Sequence, residues 1–283
     1  MKTGSIKILL SLLALLLCFM TATACSNAPL PPDDGNDVVK DDNSDTPQEE
    51  LKWPGNAARY SVENTPALAD SAIGGLTVFW LGSSVTYGSA SEGESVADYV
   101  AKRNGGTAVK EAVSGTTLRK QEGRTNSYVE RLEKGALQTG GSPDLFVCQL
   151  STNDVGNSTG KFGLPTDGDV FDRSEFDLFT TCGAIEYIVS YVRETWNCPI
   201  AFWSNPKYSS TYGILVDRMR VIAEKWDIGF WNMYDDEPLP EDGSEDYKLY
   251  MTDRIHPSRA GYREWWTPYF EAKIAAILSS GHS

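Results

Sequence analysis

Residues 76–84 read LTVFWLGSS, an unbroken apolar run that ends in a glycine and two serines. A continuous apolar run of this length is typical of a strand that is buried on both faces of a parallel sheet. In such sheets the working side chains gather at the carboxyl ends of the strands. The sequence therefore predicts that Ser83 and Ser84 stand at the functional edge of a sheet.

Similar strand patterns recur along the chain and alternate with segments of helical periodicity. Further strands are predicted at residues 108–113, 144–150, 200–203 and 228–231. Helices are predicted at residues 95–103, 128–137, about 175–196, 212–226 and 263–278. Regular alternation at these lengths predicts an α/β fold, in which helices cover both faces of a five-stranded parallel sheet. Because no repeat or second compositional block is evident, we predict one domain at 53–283.

The N-terminal region has the composition of an export signal. Lys2 and Lys7 precede an apolar run at 8–20, which is shorter than the roughly 20 residues that cross a bilayer as a helix. With the small residues before Cys25, this pattern predicts a signal peptide at 1–24. It resembles a bacterial lipoprotein signal, which implies lipidation of Cys25 and an exported, membrane-anchored protein that faces the cell exterior or the periplasm. Cleavage to a secreted soluble protein is the alternative.

The next segment is predicted to be a flexible acidic tether at 25–52. Residues 26–50 carry eight acidic residues against one lysine, and no aromatic residue. Such a segment buries too little apolar surface to offset the entropy lost on ordering. The whole chain of 283 residues is 41% hydrophobic, which excludes a disordered protein, and all eight tryptophans lie from Trp53 onward. Its formal net charge of −14 argues against a nucleic-acid partner.

Polar residues and a glycine follow three of the predicted strands, and two more polar residues precede the last helix. Ser84 follows the first strand, Gly115 the second and Asn153 the third. Asp253 and His256 lie three residues apart, and His256 is one of two histidines in the chain. Each of these features alone is more often structural than catalytic. Their shared position at strand ends and before the last helix favours a common site.

The residue types suit acyl transfer from an ester. A serine hydroxyl is a poor nucleophile at neutral pH unless a neighbouring base accepts its proton, and His256 is the candidate base. Asp253 can fix the tautomer of that imidazole and stabilise the cation that forms. The Asn153 amide and the backbone N–H of Gly115 can donate hydrogen bonds to a developing oxyanion.

The combined pattern resembles the SGNH hydrolases, also called the GDSL family of esterases and lipases. Their four blocks contain a Ser in Gly-Asp-Ser, a Gly, an Asn in Gly-x-Asn-Asp, and a His in Asp-x-x-His. The resemblance spans about residues 75–280. It implies a three-layer flavodoxin-like fold, a catalytic triad, and an oxyanion hole. The triad would consist of Ser84, Asp253 and His256, and the oxyanion hole of Ser84 N–H, Gly115 and Asn153.

This chain departs from the family pattern at two positions. Ser83 replaces the aspartate of the first block, which is not the triad acid, and we expect little effect. Ser151 replaces the glycine of the third block, and this change is expected to shift Asn153 or narrow the site.

The resemblance implies an esterase that cleaves carboxylic esters through an acyl-enzyme, with no metal and no cofactor. The acyl groups that it removes are expected to be small, most of all acetyl on carbohydrate. A lipase or lysophospholipase of the same fold is one alternative, and a catalytically silent glycan-binding surface lipoprotein is another. We expect a monomer whose partners are a small-molecule or carbohydrate ester and, through the lipid anchor, the membrane.

A second serine motif competes with Ser84. Residues 156–160 read GNSTG, which matches the Gly-x-Ser-x-Gly elbow of another serine-hydrolase fold. That elbow lies directly between a strand and a helix, whereas Asn153 and Asp154 intervene here. We therefore interpret 156–160 as a flexible loop over the site.

Several aromatic residues, cysteines and acids have both a structural and a functional interpretation. For the aromatic side chains we favour burial in the core over stacking on sugar rings; they are Trp203, Tyr208, Trp265 and Trp266. The cysteines Cys148, Cys182 and Cys198 are predicted to be buried thiols. The acidic cluster at 235–242 is predicted to be a solvated loop.

Overall fold

The structure is a computed structural model that describes residues 52–156 and 161–280. The predicted signal peptide at 1–24, the predicted lipidation site Cys25 and all but the last residue of the predicted tether lie outside these residues. The serine of the competing motif, Ser158, also lies outside them. The described residues belong to one compact unit, Glu49–Ser283. Within 52–156 and 161–280, no helix is both long and apolar enough to cross a bilayer.

The described residues form a five-stranded sheet in the spatial order β2-β1-β3-β4-β5. Its strands are β1 (Thr77–Gly82), β2 (Thr107–Ala112), β3 (Leu145–Gln149), β4 (Ile200–Ser204) and β5 (Gly229–Asn232). All neighbouring strands pair in parallel. This flavodoxin-like order confirms the predicted fold class, and it places the reversal of strand order beside β1. Each strand differs from its predicted range by at most one residue at an end.

Helices cover both faces of the sheet. They are α1 (Ser84–Tyr87), α2 (Val96–Asn104), α3 (Tyr128–Ala136), α4 (Thr181–Thr195), α5 (Ser210–Trp226), α6 (Met233–Asp236), α7 (Glu245–Tyr250) and α8 (Thr267–Ser279). The short helices α1, α6 and α7 were not predicted. In α6, Asp235 and Asp236 are helical, so the prediction of a loop throughout this acidic cluster is wrong there.

Two predicted helices differ from their predicted ranges more than the others do. The helix predicted from about residue 175 begins at Thr181, because the Thr180 side chain caps it by accepting a hydrogen bond from Gly183 N. The predicted helix at 263–278 is divided in two. A π-helical turn, Gly261–Trp266, leads into α8, whose first turn contains Pro268. Proline has no amide hydrogen and is tolerated in a first turn but not in a helix interior.

Alternate strand residues pack on opposite faces of the sheet. Phe79 and Phe202 contribute to the apolar layer under α3, α4 and α5. Trp80 and Trp203, one residue further along each strand, contribute to the layer under α2 and α8. Burial of each such side chain stabilises the fold by about 1.5–3 kcal/mol. The carboxyl edge of the sheet is thereby held as a rigid platform.

The predictions for the aromatic residues and cysteines are largely confirmed. Trp203 and Trp266 are fully buried and pack edge to face, with ring centroids 5.6 Å apart. Tyr208 and Trp265 are partly buried at the edges of the two layers. The three cysteines of the described chain are free and buried: Cys148, Cys182 and Cys198.

Candidate active site

Ser84 begins helix α1 directly after strand β1, so its side chain lies at the carboxyl edge of the sheet. The turn is tight, because a Cβ atom on Gly82 would lie 1.9 Å from Thr86 Oγ1. Only glycine allows α1 to fold back over the end of β1 in this way. The Ser84 side chain is nearly buried, with the residue 8% exposed.

A buried amide in the neighbouring strand holds this turn. Gln149 is fully buried at the end of β3. Its Oε1 accepts hydrogen bonds from Ser83 N at 3.0 Å and from Thr86 Oγ1 at 2.8 Å. Thr86 N and Ser83 Oγ also donate to it, each at 3.3 Å. Gln149 therefore fixes the backbone on both sides of Ser84 through these hydrogen bonds. Gln149 was not predicted as a site residue, although a lone amide in an apolar strand was a usable signal.

The structure brings Ser84, His256 and Asp253 into one hydrogen-bonded chain. Ser84 Oγ lies 2.8 Å from His256 Nε2. His256 Nδ1 lies 2.8 Å and 3.1 Å from the two carboxylate oxygens of Asp253. Because the carboxylate engages the Nδ1 hydrogen, Nε2 is left as the acceptor for the serine hydroxyl. This is the geometry that general-base activation of a serine requires.

The Asp253 carboxylate is held by its own turn. The backbone N–H groups of Ile255 and His256 donate to Asp253 Oδ1 at 2.7 Å and 2.8 Å. Partial burial raises the pKa of Asp253, but the hydrogen bonds from the His256 ring and from these two amides outweigh it. The pKa of this carboxyl therefore lies below its usual value, and the group stays ionised beside the imidazole.

Asn205 ties the His256 turn to the end of β4. Its Nδ2 donates to Ile255 O at 2.9 Å, and its backbone N–H donates to Tyr212 Oη at 3.1 Å. Asn205 is 1% exposed, so this link is shielded from water. The sequence analysis did not single out this residue. The signal was present, because Asn205 is a polar residue directly after strand β4.

The predicted oxyanion-hole groups lie after β1, β2 and β3, three adjacent strands. No described residue accepts a hydrogen bond from the backbone N–H of Ser84 or of Gly115. Gly115 has a φ of +76°, a conformation that favours glycine. Asn153 Nδ2 donates to the carbonyl of Thr116 at 3.0 Å, which links Asn153 to the residue after Gly115. A primary amide has two hydrogens, so one remains for a ligand.

Ser151, which stands where the family pattern has a glycine, hydrogen-bonds to the same Thr116 carbonyl and to Asn153. Its hydroxyl donates to Thr116 O at 3.2 Å and accepts from the Asn153 backbone N–H at 3.1 Å. The side chain is fully buried. Ser151 therefore acts on the position of the Asn153 backbone.

Arg131 joins the ends of β1 and β2 beside the Ser84 turn. It lies on the buried face of α3 and is 5% exposed. Its Nη2 donates to Gly82 O at 2.8 Å, and its Nη1 donates to the Glu111 carboxylate at 2.8 Å. The sequence analysis missed it, although an arginine on the apolar face of an amphipathic helix is a detectable signal.

Asp154, the aspartate after Asn153, is fully buried and connects three segments. It accepts hydrogen bonds from Leu118 N and Thr181 Oγ1, both at 2.8 Å. Burial raises the pKa of Asp154, and the hydrogen bonds only partly offset this. Asp154 is thus a structural member of the site that joins the loop after β2 to the start of α4.

Two surface clefts lie on either side of residues 238–240, which line both. We name the first the cation cleft. It has a volume of about 300 Å³, and its lining includes Lys207, Asp242, Tyr247 and Arg254. We name the second the aromatic cleft. It has a volume of about 630 Å³, and its lining includes Glu237, Asp246, Tyr250, Glu264, Trp265 and Tyr269.

The model of the GDSL-like Lipase/Acylhydrolase family matches residues 80–264. The chain belongs to this family. As a GDSL-family protein it is an ester hydrolase, and the match begins in β1, just before the Ser84 turn. No curated protein has a sequence that matches this one. Within the part of the chain that the structure describes, no cluster of three or more His, Cys, Asp or Glu side chains is placed to hold a metal ion.

Solved structures share the fold at low sequence identity. A protein from Lactobacillus plantarum is 18% identical with a TM-score of 0.54, over 74% of this chain and 98% of that one. A family two carbohydrate esterase from Clostridium thermocellum, solved in complex with cellohexaose, is 18% identical with a TM-score of 0.52. That match covers 72% of this chain and 66% of the esterase. At such identities the similarity shows the fold alone.

Proposed function

We propose that this GDSL hydrolase is a serine esterase that removes small acyl groups, above all acetyl, from carbohydrate. One observation supports this type of reaction. Ser84 Oγ, the two ring nitrogens of His256 and the Asp253 carboxylate are linked by contacts of 2.8 Å at the carboxyl edge of the sheet. Such an arrangement activates a serine for attack on an ester carbonyl.

The reaction then proceeds in two steps. His256 Nε2 takes the hydroxyl proton as Ser84 Oγ bonds to the carbonyl carbon, and the carbonyl oxygen becomes an oxyanion. The N–H groups of Ser84 and Gly115 and the amide of Asn153 stabilise that oxyanion. When the intermediate collapses, the ester C–O bond breaks and the alcohol leaves with the proton from His256. Water then attacks the acyl-serine by the same route and releases the acid.

The surroundings of the His256 turn favour a polar alcohol over a lipid. Arg254 lies within the turn, and the cation cleft that it lines also contains Lys207 and Asp242. Charged side chains suit a sugar and would cost energy beside the apolar part of a lipid. The Asp253 side chain is 56% exposed, so the turn is open to a large substrate. A carbohydrate esterase shares this fold, which makes carbohydrate esters the first substrates to test.

We further propose that the protein is exported, lipid-anchored through Cys25 and monomeric. The signal pattern at 1–25 and the acidic segment after it support export and anchoring. Labelling of cells with a radioactive fatty acid tests the anchor. We expect label in the wild-type protein and none in Cys25→Ser, and equal labelling would contradict it. Light scattering of residues 51–283 tests the proposed monomeric state.

Hydrolysis of 4-nitrophenyl acetate tests the proposed nucleophile. Ser84→Ala should lower kcat by at least about 10³-fold, as loss of a triad member does in other serine hydrolases. Ser89→Ala is the matched control, because Ser89 is an exposed serine five residues away. Covalent labelling by a fluorophosphonate should disappear in Ser84→Ala and persist in Ser89→Ala. Equal hydrolysis by wild type and Ser84→Ala would show that the nucleophile is assigned wrongly.

An acyl-chain series and acetylated xylan test the substrate class. We expect kcat/KM to fall as the acyl chain lengthens, and acetate to be released from xylan. A preference for long chains would favour the lipase or lysophospholipase alternative. Glycan binding without hydrolysis or fluorophosphonate labelling would favour the silent binding protein.

A further inference from the structure

We propose that the cation cleft binds a carboxylate of the substrate, so that the esterase prefers esters of sugar acids. This inference rests on the proposed function and names its substrate class. Lys207 and Arg254 line the cleft from two different loops. Neither makes a hydrogen bond or ion pair with any residue in 52–156 or 161–280. The Lys207 ammonium instead lies 5.6 Å from the centroid of the Tyr234 ring.

Other cations near the site are already paired. Arg131 contacts the Glu111 carboxylate at 2.8 Å, and Arg259 contacts the Glu94 carboxylate at 2.7 Å. Those arginines have structural acceptors within the fold. Lys207 and Arg254 keep their donors available for an external acceptor, and a carboxylate is the acceptor that pairs most strongly with both ammonium and guanidinium groups.

The cation cleft is connected to the His256 turn through Arg254 and Lys207. Arg254 is in the turn between Asp253 and His256, and Lys207 follows Asn205, whose amide donates to Ile255 O at 2.9 Å. In the proposed reaction His256 returns its proton to the leaving alcohol, so the sugar lies on the His256 side of the scissile bond. A carboxylate on that sugar can therefore reach the cation cleft while the ester carbonyl stays at Ser84.

The charges around the cleft limit the ligand to one carboxylate. Asp242 is the acidic residue of the lining, so two cations face one anion. Beyond residues 238–240, the aromatic cleft carries three carboxylates, from Glu237, Asp246 and Glu264. A polyanion that extended there would be repelled, since like charges at short range disfavour binding. We therefore infer a single sugar acid next to the ester, within an otherwise neutral glycan.

Matched sugar esters test this inference. We compare kcat/KM for mono-O-acetylated methyl glucuronide and methyl glucoside, which differ in one carboxylate. Wild type should prefer the glucuronide by roughly 10-fold or more, as expected for charge-assisted hydrogen bonds. The preference should fall towards 1 in Lys207→Gln with Arg254→Gln, and below 1 in Lys207→Glu. Added salt should reduce the preference as well.

Lys102→Gln is the control, because it removes an exposed charge from α2, outside the cleft, and should keep the preference. Equal kcat/KM for the two sugar esters in wild type would overturn the inference and leave the proposed esterase intact. A preference retained in the double variant would also overturn it. Absence of hydrolysis of 4-nitrophenyl acetate by wild type would overturn the proposed function, and this inference with it.

Discussion

Replacing Gln149 by methionine tests whether a buried amide positions the nucleophile. Methionine has a similar length and flexibility, so the replacement removes the acceptor with little change in packing. In the native protein, Gln149 Oε1 accepts from both backbone N–H groups that flank the Ser84 position in the turn, those of Ser83 and Thr86. No described residue accepts a hydrogen bond from Gln149 Nε2, so the loss of this group breaks no hydrogen bond.

The size of the effect follows from the donors that lose their acceptor. Ser83 and Thr86 are both fully buried, so water cannot replace Gln149 at either N–H. A buried donor without a partner costs about 1–3 kcal/mol. The two N–H donors together should lower the free energy of unfolding by about 3 kcal/mol. The hydroxyls of the same two residues add little to this loss, because they can rotate to other acceptors. A shift of the turn by about 1 Å would lower turnover by about 100-fold.

Urea unfolding measures the free energy, and hydrolysis of 4-nitrophenyl acetate measures the turnover. Thr86→Val is the matched control, because it removes one hydroxyl from the same cluster and should cost about 1 kcal/mol. In the Gln149→Met background, Thr86→Val should cost less, since the shared hydrogen bond is already gone. This account would be refuted if Gln149→Met lowered the free energy of unfolding by less than about 0.5 kcal/mol and kept turnover within threefold of wild type.

Two further predictions concern the oxyanion and the triad acid. Asn153→Ala should lower kcat for 4-nitrophenyl acetate by about 10²–10³-fold with little change in unfolding free energy, and a loss below about threefold would remove Asn153 from the oxyanion hole. The pKa of Asp253 lies below its usual value of about 4. The ionised carboxylate therefore stabilises the fold above that pH, and this contribution is lost as the pH falls through the lowered pKa. Wild type should therefore unfold at higher urea than Asp253→Asn near about pH 6, and the two should converge on acidification. A difference that grows on acidification would contradict this sign.

The fold could be predicted in detail because its signal is local. Residues 76–81 are apolar except for Thr77, and similar runs mark residues 144–150 and 200–203, so these strand positions agree to within one residue. Helix boundaries agreed less well where a capping residue or a proline decided them. Thr180 acts by accepting a single hydrogen bond and Pro268 by lacking an amide hydrogen, and hydrophobic periodicity registers neither.

The site residues named from the sequence lie at the carboxyl edge of the sheet. Ser84, Asn153 and His256 follow strands or precede a helix, where polar residues stand out beside apolar strands. The supporting residues were missed, because Gln149, Asn205 and Arg131 are buried and each hydrogen-bonds to a residue between 49 and 66 positions away in the chain. Such pairings arise only when the sheet is assembled.

By itself the sequence determined the α/β alternation, the strand ends and the set of chemical groups available there, since each of these depends on neighbours within a few residues. The tertiary structure decided that Ser84 and His256, 172 positions apart, meet at 2.8 Å. It also decided that Lys207 and Arg254 line one cleft. The physical reason is that contacts between distant segments depend on strand order and helix packing, which the whole core determines together.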